Sequence, residues 1–300
     1  MAAMKSNYIF SANTYGASIF VICALATQAA QGETFDFAKA QAAANKGDAQ
    51  AQFELGRAYY RGEGVPKNDA KALELYRASA TQGNIKAENN LASLYKDGAG
   101  VRRNPGEAIT WYRKAAQQGA ALAQYNLATL LVDPGNPSPN PTEAAQWYEK
   151  AAAQGVPQAS LGLGKLYYAG QPGFAKNAAL AAKWLAQPAS QGNDQAQCLL
   201  GTLYQNGQGV HRDLKKSLAL FRNSAEQGNL DAQRNLGIIY CSGSGVNIDP
   251  VMGFKWLLIS AGNGDFQSNH FIAEFRSIIT KEQYHQAQAL ADNFTPRPHV

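Results

Sequence analysis

A glycine returns through this chain at a nearly fixed interval. Gly47, Gly83, Gly119, Gly155, Gly192, Gly228 and Gly264 are separated by 36, 36, 36, 37, 36 and 36 residues. An alanine keeps the same beat at Ala51, Ala87, Ala123, Ala159, Ala196 and Ala232. Self-similarity at a period of about 20–50 residues marks stacked repeats, each too small to bury its apolar face alone. That constraint outranks length. A chain of 300 residues would otherwise suggest two domains, but the period predicts one elongated stack.

Each unit reads as two helices. In the first, a Leu stands four residues after the Ala and usually a Tyr four further on, as in Leu55 and Tyr59, Leu91 and Tyr95, or Leu236 and Tyr240. Spacing of four keeps these on one helical face. Beside each Leu stands Gly or Ala (Gly56, Ala92, Ala128, Gly164, Gly201, Gly237). Glycine inside a helix costs about 1 kcal/mol relative to alanine, so four in one column imply close packing. A Gly-x-Gly loop follows at Gly62, Gly98, Gly207 and Gly243, where a left-handed C-cap would end the helix. The second helix opens on Asn68, Asn104, Asn140, Asn177, Asp213 or Asp249, all good N-caps. It then carries a small residue and a bulky pair, such as Trp111-Tyr112 or Trp147-Tyr148, which the repeat period assigns to the core. Repeat three replaces the glycine loop with Asp133-Pro134-Gly135-Asn136-Pro137, predicted to be stiff and extended. Repeat four has a loop one residue longer, and Pro188 inside its second helix predicts a kink there.

The ends depart from the pattern. Residues 1–30 combine Lys5, a short apolar run and small residues around Ala26 and Ala29. This reads as a secretory signal peptide, too short for the ~20 residues of a stable membrane span. Residues 33–47 read as a lone capping helix, 48–264 as the six repeats, 265–294 as a C-terminal cap with a capping box at Thr280-Lys281-Glu282-Gln283, and 295–300 as a loose tail. Cys23 would leave with the signal. Cys198 and Cys241 sit at helix depths that differ by about 10 Å of rise, beyond a disulfide's reach of about 7 Å, so both read as free thiols.

Charge and motifs narrow the chemistry. A net charge of +5 without a basic run gives nucleic-acid binding little footing. His211, His270, His285 and His299 form no metal-ligand spacing with one another or with cysteine, and no Gly-x-Ser-x-Gly elbow is present. The sequence therefore predicts no catalytic residues, no metal, no cofactor and a non-enzymatic protein.

The repeat unit, Ala-x3-Leu-Gly-x2-Tyr-x2-Gly-x-Gly-Val through Lys-Ala and Trp-Tyr-x-Lys-Ala-Ala to the closing Gly, resembles the SEL-one-like repeat, a relative of the tetratricopeptide repeat. Gly62–Gly83 and Leu91–Gly119 match best. The resemblance implies an all-α solenoid of helix pairs forming a right-handed superhelix. It also implies a protein-interaction scaffold whose first helices line the concave surface, and bacterial relatives that are often exported, with roles in envelope assembly, signalling or contact with host proteins. A cysteine-rich branch carries one disulfide per repeat; this chain lacks those cysteines, so nothing is transferred from it.

On that first-helix face the variable positions supply the candidate partner-binding residues: Phe53, Arg57, Tyr60, Arg61, Lys86, Asn89, Lys96, Tyr125, Lys165 and Tyr168. The N-terminal half is basic and aromatic, and Arg and Tyr are enriched at interface hot spots. Arg57, Arg61, Lys86 and Lys96 are expected to line one half of the groove and to favour an acidic protein or peptide. A module for envelope polysaccharide or peptidoglycan, its tyrosines stacked on sugars, is the alternative. The expected compartment is periplasmic or extracellular.

Overall fold

A computed structural model describes residues 36–297. The signal-peptide reading of residues 1–30 therefore lies outside the described residues. Among them, fifteen α-helices follow one another: α1 Phe37–Asn45, α2 Ala49–Arg61, α3 Asp69–Ala80, α4 Ile85–Asp97, α5 Pro105–Gln117, α6 Ala121–Leu131, α7 Pro141–Ala153, α8 Pro157–Ala169, α9 Ala178–Ser190, α10 Asp194–Asn206, α11 Leu214–Glu226, α12 Leu230–Ser242, α13 Pro250–Gly262, α14 Phe266–Glu274 and α15 Lys281–Asp292. Each even-numbered helix from α2 to α12 packs against the next as a pair, and each pair packs against its neighbours in chain order. This is an α-solenoid of six two-helix repeats, preceded by α1 and closed by α14 and α15.

The caps form where the residue types demand them. Asn68, Asn104, Asn140, Asn177, Asp213 and Asp249 each accept a hydrogen bond from the backbone N–H three residues on, satisfying one of the helix's free amides. Gly62, Gly98, Gly207 and Gly243 end their helices in the left-handed conformation. The second glycine of the loop has a further cause. A Cβ at Gly100 would lie 2.5 Å from the backbone of Asp69, and one at Gly209 2.2 Å from that of Ala179. The loop tip thus presses on the start of the preceding repeat's second helix. At Gly64 nothing lies within 4 Å, because no full repeat precedes it.

The core is a continuous stripe through the stack. Ala87, Leu91, Ala123, Leu127, Ala159, Leu163, Ala232 and Leu236 are fully buried. The small column beside the leucines is explained by contact: a Cβ at Gly237 would meet Leu257 at 2.5 Å, and one at Gly164 would meet Leu185 at 2.7 Å. Of the bulky pair, only the second member is core in every repeat: Tyr76, Tyr112, Tyr148, Leu185, Phe221 and Leu257 are all buried. The first member is partly exposed in repeats one to five, and among the tryptophans only Trp256 is buried. Lysines lie over the exposed indoles, Lys114 4.0 Å from the Trp111 ring centre and Lys150 4.2 Å from that of Trp147.

A buried polar ladder ties repeats one, three, five and six to the helix before; repeat four has Ser160 at this position. Gln52, Gln124, Gln197 and Gln233 donate to the carbonyls of Ala44, Ala116, Ala189 and Ala225 at 3.0–3.3 Å. Gln82, Gln154 and Gln227 donate in turn to Gln52, Gln124 and Gln197. At repeat six the place of that donor is taken by Asn263, which bonds to Ile259 instead, and the Gln233 Oε1 is left without a partner. Repeat two carries Glu88 in place of the ladder glutamine. It is 3% exposed and accepts from Gln118 at 2.7 Å.

Pro188 lies inside α9, which runs on to Ser190, so the proline falls in the last turn of the helix. Two expectations change, for the loop of repeat three and for residues 295–297. The loop of repeat three folds on itself, with Asp133 accepting from the Gly135 N–H and the buried Asn136 bonding to Leu130 O and Ser138 N. Residues 295–297 are docked rather than loose. The Arg297 N–H donates to Glu226 O at 2.7 Å, its guanidinium meets the Glu226 carboxylate at 3.0 Å, and Phe294 sits edge-on to Trp256. Cys198 and Cys241 are free and buried; burial pushes both thiols up to about 12.

Candidate binding face on the first helices

The helix pairs place α2, α4, α6, α8, α10 and α12 in one row. Successive members of this row touch directly at α6–α8 and α8–α10. Side chains also cross between them: Asn126 donates to Asn89 at 3.2 Å, and Lys165 bonds to Gln195. Clefts open along the row. One of about 180 Å³ is lined by Arg57, Tyr60, Arg61, Tyr76, Asn90, Ser93 and Leu94. A second, of about 430 Å³, is bordered by Lys96, Asp97, Arg103, Asn126, Thr129 and Asp133 among others. A third, of about 480 Å³, includes Tyr168, Lys176 and Gln208.

The structure brings together only part of the predicted set. Arg57, Tyr60 and Arg61 share the first cleft, Lys96 borders the second and Tyr168 the third. Phe53 is 5% exposed and packs on Tyr76 with ring centres 5.9 Å apart, so it belongs to the core and offers no surface. Tyr125 is drawn partly inward onto Tyr148 in the same way. Asn89 is taken up by Asn126, and Lys165 by Gln195. Lys86 stands in the first turn of α4, ten residues and hence about 15 Å of rise from Lys96, so the four cations do not form one patch. Each basic side chain of the first cleft has an acidic neighbour: Arg57 meets Glu54 at 2.8 Å, and Arg61 meets Glu63 at 3.2 Å. Lys96 lies 3.3 Å from Asp97.

In repeats two and three a hydroxyl nineteen residues before the core tyrosine meets it: Ser93 with Tyr112 at 2.8 Å, and Thr129 with Tyr148 at 3.1 Å. Burial raises both phenols, the latter to about 12, so they stay protonated. In repeat one the residue nineteen before Tyr76 is Arg57, and the Tyr76 hydroxyl has no partner. Tyr76, Asn90, Arg103, Asn126 and Asp133 were absent from the sequence-derived set. The Tyr-minus-nineteen column would have pointed to the first of them; the others depend on how α4 and α6 sit side by side. Among the described residues no group of His, Cys, Asp or Glu could hold a metal ion, and no helix is long and apolar enough to cross a membrane.

A family model, the Sel1 repeat, matches six times, over residues 49–84, 85–119, 121–156, 157–193, 194–229 and 230–265. The chain belongs to the Sel1-repeat family. A Sel1 repeat protein of solved structure from Oxalobacter formigenes is 34% identical, with a TM-score of 0.58 over 71% of this chain and 85% of that one. A protective antigen of uropathogenic Escherichia coli with an SLR fold is 29% identical, with the same TM-score of 0.58 over 85% of this chain; the match spans 62% of that protein's length. No curated protein sequence matches this chain. Sel1-repeat proteins are generally protein–protein interaction scaffolds, which directs attention to the clefts of the first-helix row.

Proposed function

We propose that this Sel1-repeat protein is an exported, non-enzymatic scaffold that binds an extended, acidic segment of a protein partner across the N-terminal half of the first-helix row. The observation that supports it is the succession of polar clefts, Arg57–Tyr60–Arg61 and then Lys96–Arg103, one repeat apart. Neighbouring helices are about 10 Å apart and an extended chain advances about 3.3 Å per residue. A peptide along the row would therefore meet a new cleft about every third residue. The internal ion pairs do not stand in the way. Exposed pairs contribute about 0–1 kcal/mol, and the Arg61 side chain is 59% exposed, so a partner carboxylate can compete. The polysaccharide alternative draws less support, because sugar stacking needs open rings. Tyr125 leans on Tyr148, and Lys67 stands 5.5 Å from the Tyr60 ring centre.

Export rests on the signal-like residues 1–30, and the E. coli relative's description as a protective antigen agrees with it. Mass spectrometry of the chain from its native envelope fraction should find an N-terminus near residue 27 or 30; an intact Met1 there would contradict export with cleavage. For the binding face, a photo-crosslinking residue at Lys96 should capture a partner that the same residue at Lys215, exposed on α11, does not. Capture from position 215 alone would place the interface elsewhere.

A further inference from the structure

The first cleft is chemically unfinished. Tyr76 is 1% exposed, and its hydroxyl finds no hydrogen-bond partner. The Asn90 side chain beside it lowers the phenol's pKa against the effect of burial, yet it leaves the hydroxyl without a hydrogen-bond partner. The Arg57 Nε–H beside it is also buried and without a partner, although the other end of that guanidinium meets Glu54. An unpaired buried polar group is costly, and the matching hydroxyls of repeats two and three are paired with Ser93 and Thr129. Repeat five avoids the problem by placing Phe221 at the position equivalent to Tyr76, with Thr202 at the position nineteen before. The repeat-one site keeps the hydroxyl and leaves it facing a cleft of about 180 Å³ whose other walls are Tyr60, Arg61, Asn90, Ser93 and Leu94.

Resting on the peptide-binding reading above, we propose that this cleft is the anchor pocket for a single Asp or Glu side chain of the partner, whose carboxylate accepts from the Tyr76 hydroxyl and the Arg57 Nε–H under the Arg61 guanidinium. The unpaired groups in the lining of the cleft, the Tyr76 hydroxyl and the Arg57 Nε–H, are donors, while the Glu54 Oε2, also without a hydrogen-bond partner, meets Arg57 and stands outside the lining; a carboxylate is an acceptor with two oxygens to fill. Burial pushes the Tyr76 phenol up to about 12, so it carries its proton at any physiological pH. The charge balance argues against a doubly charged group. Glu54 already opposes Arg57 and Glu63 opposes Arg61, so an entering carboxylate takes Arg61 in competition with Glu63, and a phosphate dianion would bring a second charge with no cation to meet it. Tyr60, 38% exposed, stands at the rim, where its ring can cover the methylenes of the entering side chain.

The test uses the full chain and three octapeptides of one Gly/Ser background. One is N-acetylated and C-amidated with a central Glu, one is identical with Gln, and one has the Gln and a free C-terminal carboxylate. Titration followed by the Arg57 Nε–H signal in NMR should show saturable binding of the Glu peptide, at least about tenfold tighter than the Gln peptide. Tyr76→Phe should weaken the Glu peptide by about tenfold or more while leaving the melting temperature unchanged or higher, as Phe221 in the equivalent place suggests. Equal binding of Glu and Gln peptides, no binding at all, or tightest binding by the free-terminus peptide would overturn the proposal. So would full affinity in Tyr76→Phe. The broader reading fails separately: loss of partner capture in Arg57/Arg61/Lys96 variants, with no effect of Tyr76→Phe, would keep the face and remove the pocket.

Discussion

Glu88→Gln should stabilise this protein, and should do so only above acidic pH. Glu88 occupies the ladder position that Gln52, Gln124, Gln197 and Gln233 fill in other repeats. There the glutamine donates to a carbonyl of the preceding helix and, in three cases, accepts from the next glutamine. An ionised Glu88 keeps the second bond, from Gln118 at 2.7 Å, but has no proton for the Ala80 carbonyl, the counterpart of Ala44 and Ala116. Burial is the main cause that raises its pKa, opposed by Lys114 and by the Gln118 bond. The folded pKa lies above the unfolded one, so the folded chain binds this proton more tightly. The group's contribution to stability therefore grows as pH falls through the folded pKa and is least favourable above it. Glutamine at this place supplies the missing donor, about 1 kcal/mol, and removes a buried charge. The loss of a charge-assisted bond to Gln118 offsets part of that. A net gain of about 1 kcal/mol at pH 7.5 corresponds to a rise of roughly 2–4 °C in melting temperature for a chain of this size. Thermal denaturation of both proteins between pH 4 and 8 reads the difference. It should shrink toward zero at the acid end, where a protonated Glu88 can donate as glutamine does. A lower melting temperature for Glu88→Gln at pH 7.5, or a difference that does not change with pH, would refute the argument.

Other substitutions separate positions that look alike in the sequence. Tyr148→Ala should cost about 3–5 kcal/mol in chemical denaturation, and Trp147→Ala at least about 1 kcal/mol less, because only Tyr148 is core; equal costs would contradict the burial pattern. Gly209→Ala should cost over about 3 kcal/mol, combining the left-handed backbone with a clash at 2.2 Å. Gly64→Ala, in open space, should cost about 1–2 kcal/mol for the backbone conformation alone, and similar losses would dissolve the distinction. Cys198 and Cys241 should resist a thiol-specific reagent at pH 8 in the native state and react on denaturation; fast native labelling would show that the core opens around them.

The sequence disclosed what repetition itself encodes. Six copies showed which columns recur, and recurrence at helical spacing places Leu91 and Leu127 inside, Asn104 and Asn140 at helix starts, and Gly98 at a helix end. It could not show what differs between copies sharing a column. Trp147 and Tyr148 both recur in bulky form, yet the neighbouring repeat wraps around only one of them. Phe53 shares its column with Asn89 and Arg234, so a partner-facing assignment was natural; the large ring instead turns onto Tyr76. Gly64 and Gly100 share a motif, but only Gly100 has a preceding repeat to press against. The charges of Arg57 and Arg61 were visible, while their pairing with Glu54 and Glu63 depends on rotamers and loop shape. The unpaired Tyr76 hydroxyl emerged only when repeats were compared across the helix pair, nineteen residues apart, rather than down one helix.

The decisive experiment is the affinity of a crosslink-identified partner for two triple variants, measured by calorimetry. Arg57, Arg61 and Lys96 replaced by Ala remove three of the four cations that line the first two clefts, leaving Arg103. Lys46, Lys215 and Lys281 replaced by Ala remove three exposed charges that lie off the first-helix row and serve as the control. Lys71, Arg77 and Lys114 would be poor controls, since each sits against an aromatic ring. Binding through the N-terminal half of the row predicts a loss of more than about tenfold, above about 1.4 kcal/mol, for the first triple. The second triple should bind as the unaltered chain does, with melting temperatures of all three proteins nearly equal. An equal loss in both triples, or none in the first, would contradict the assignment of this face.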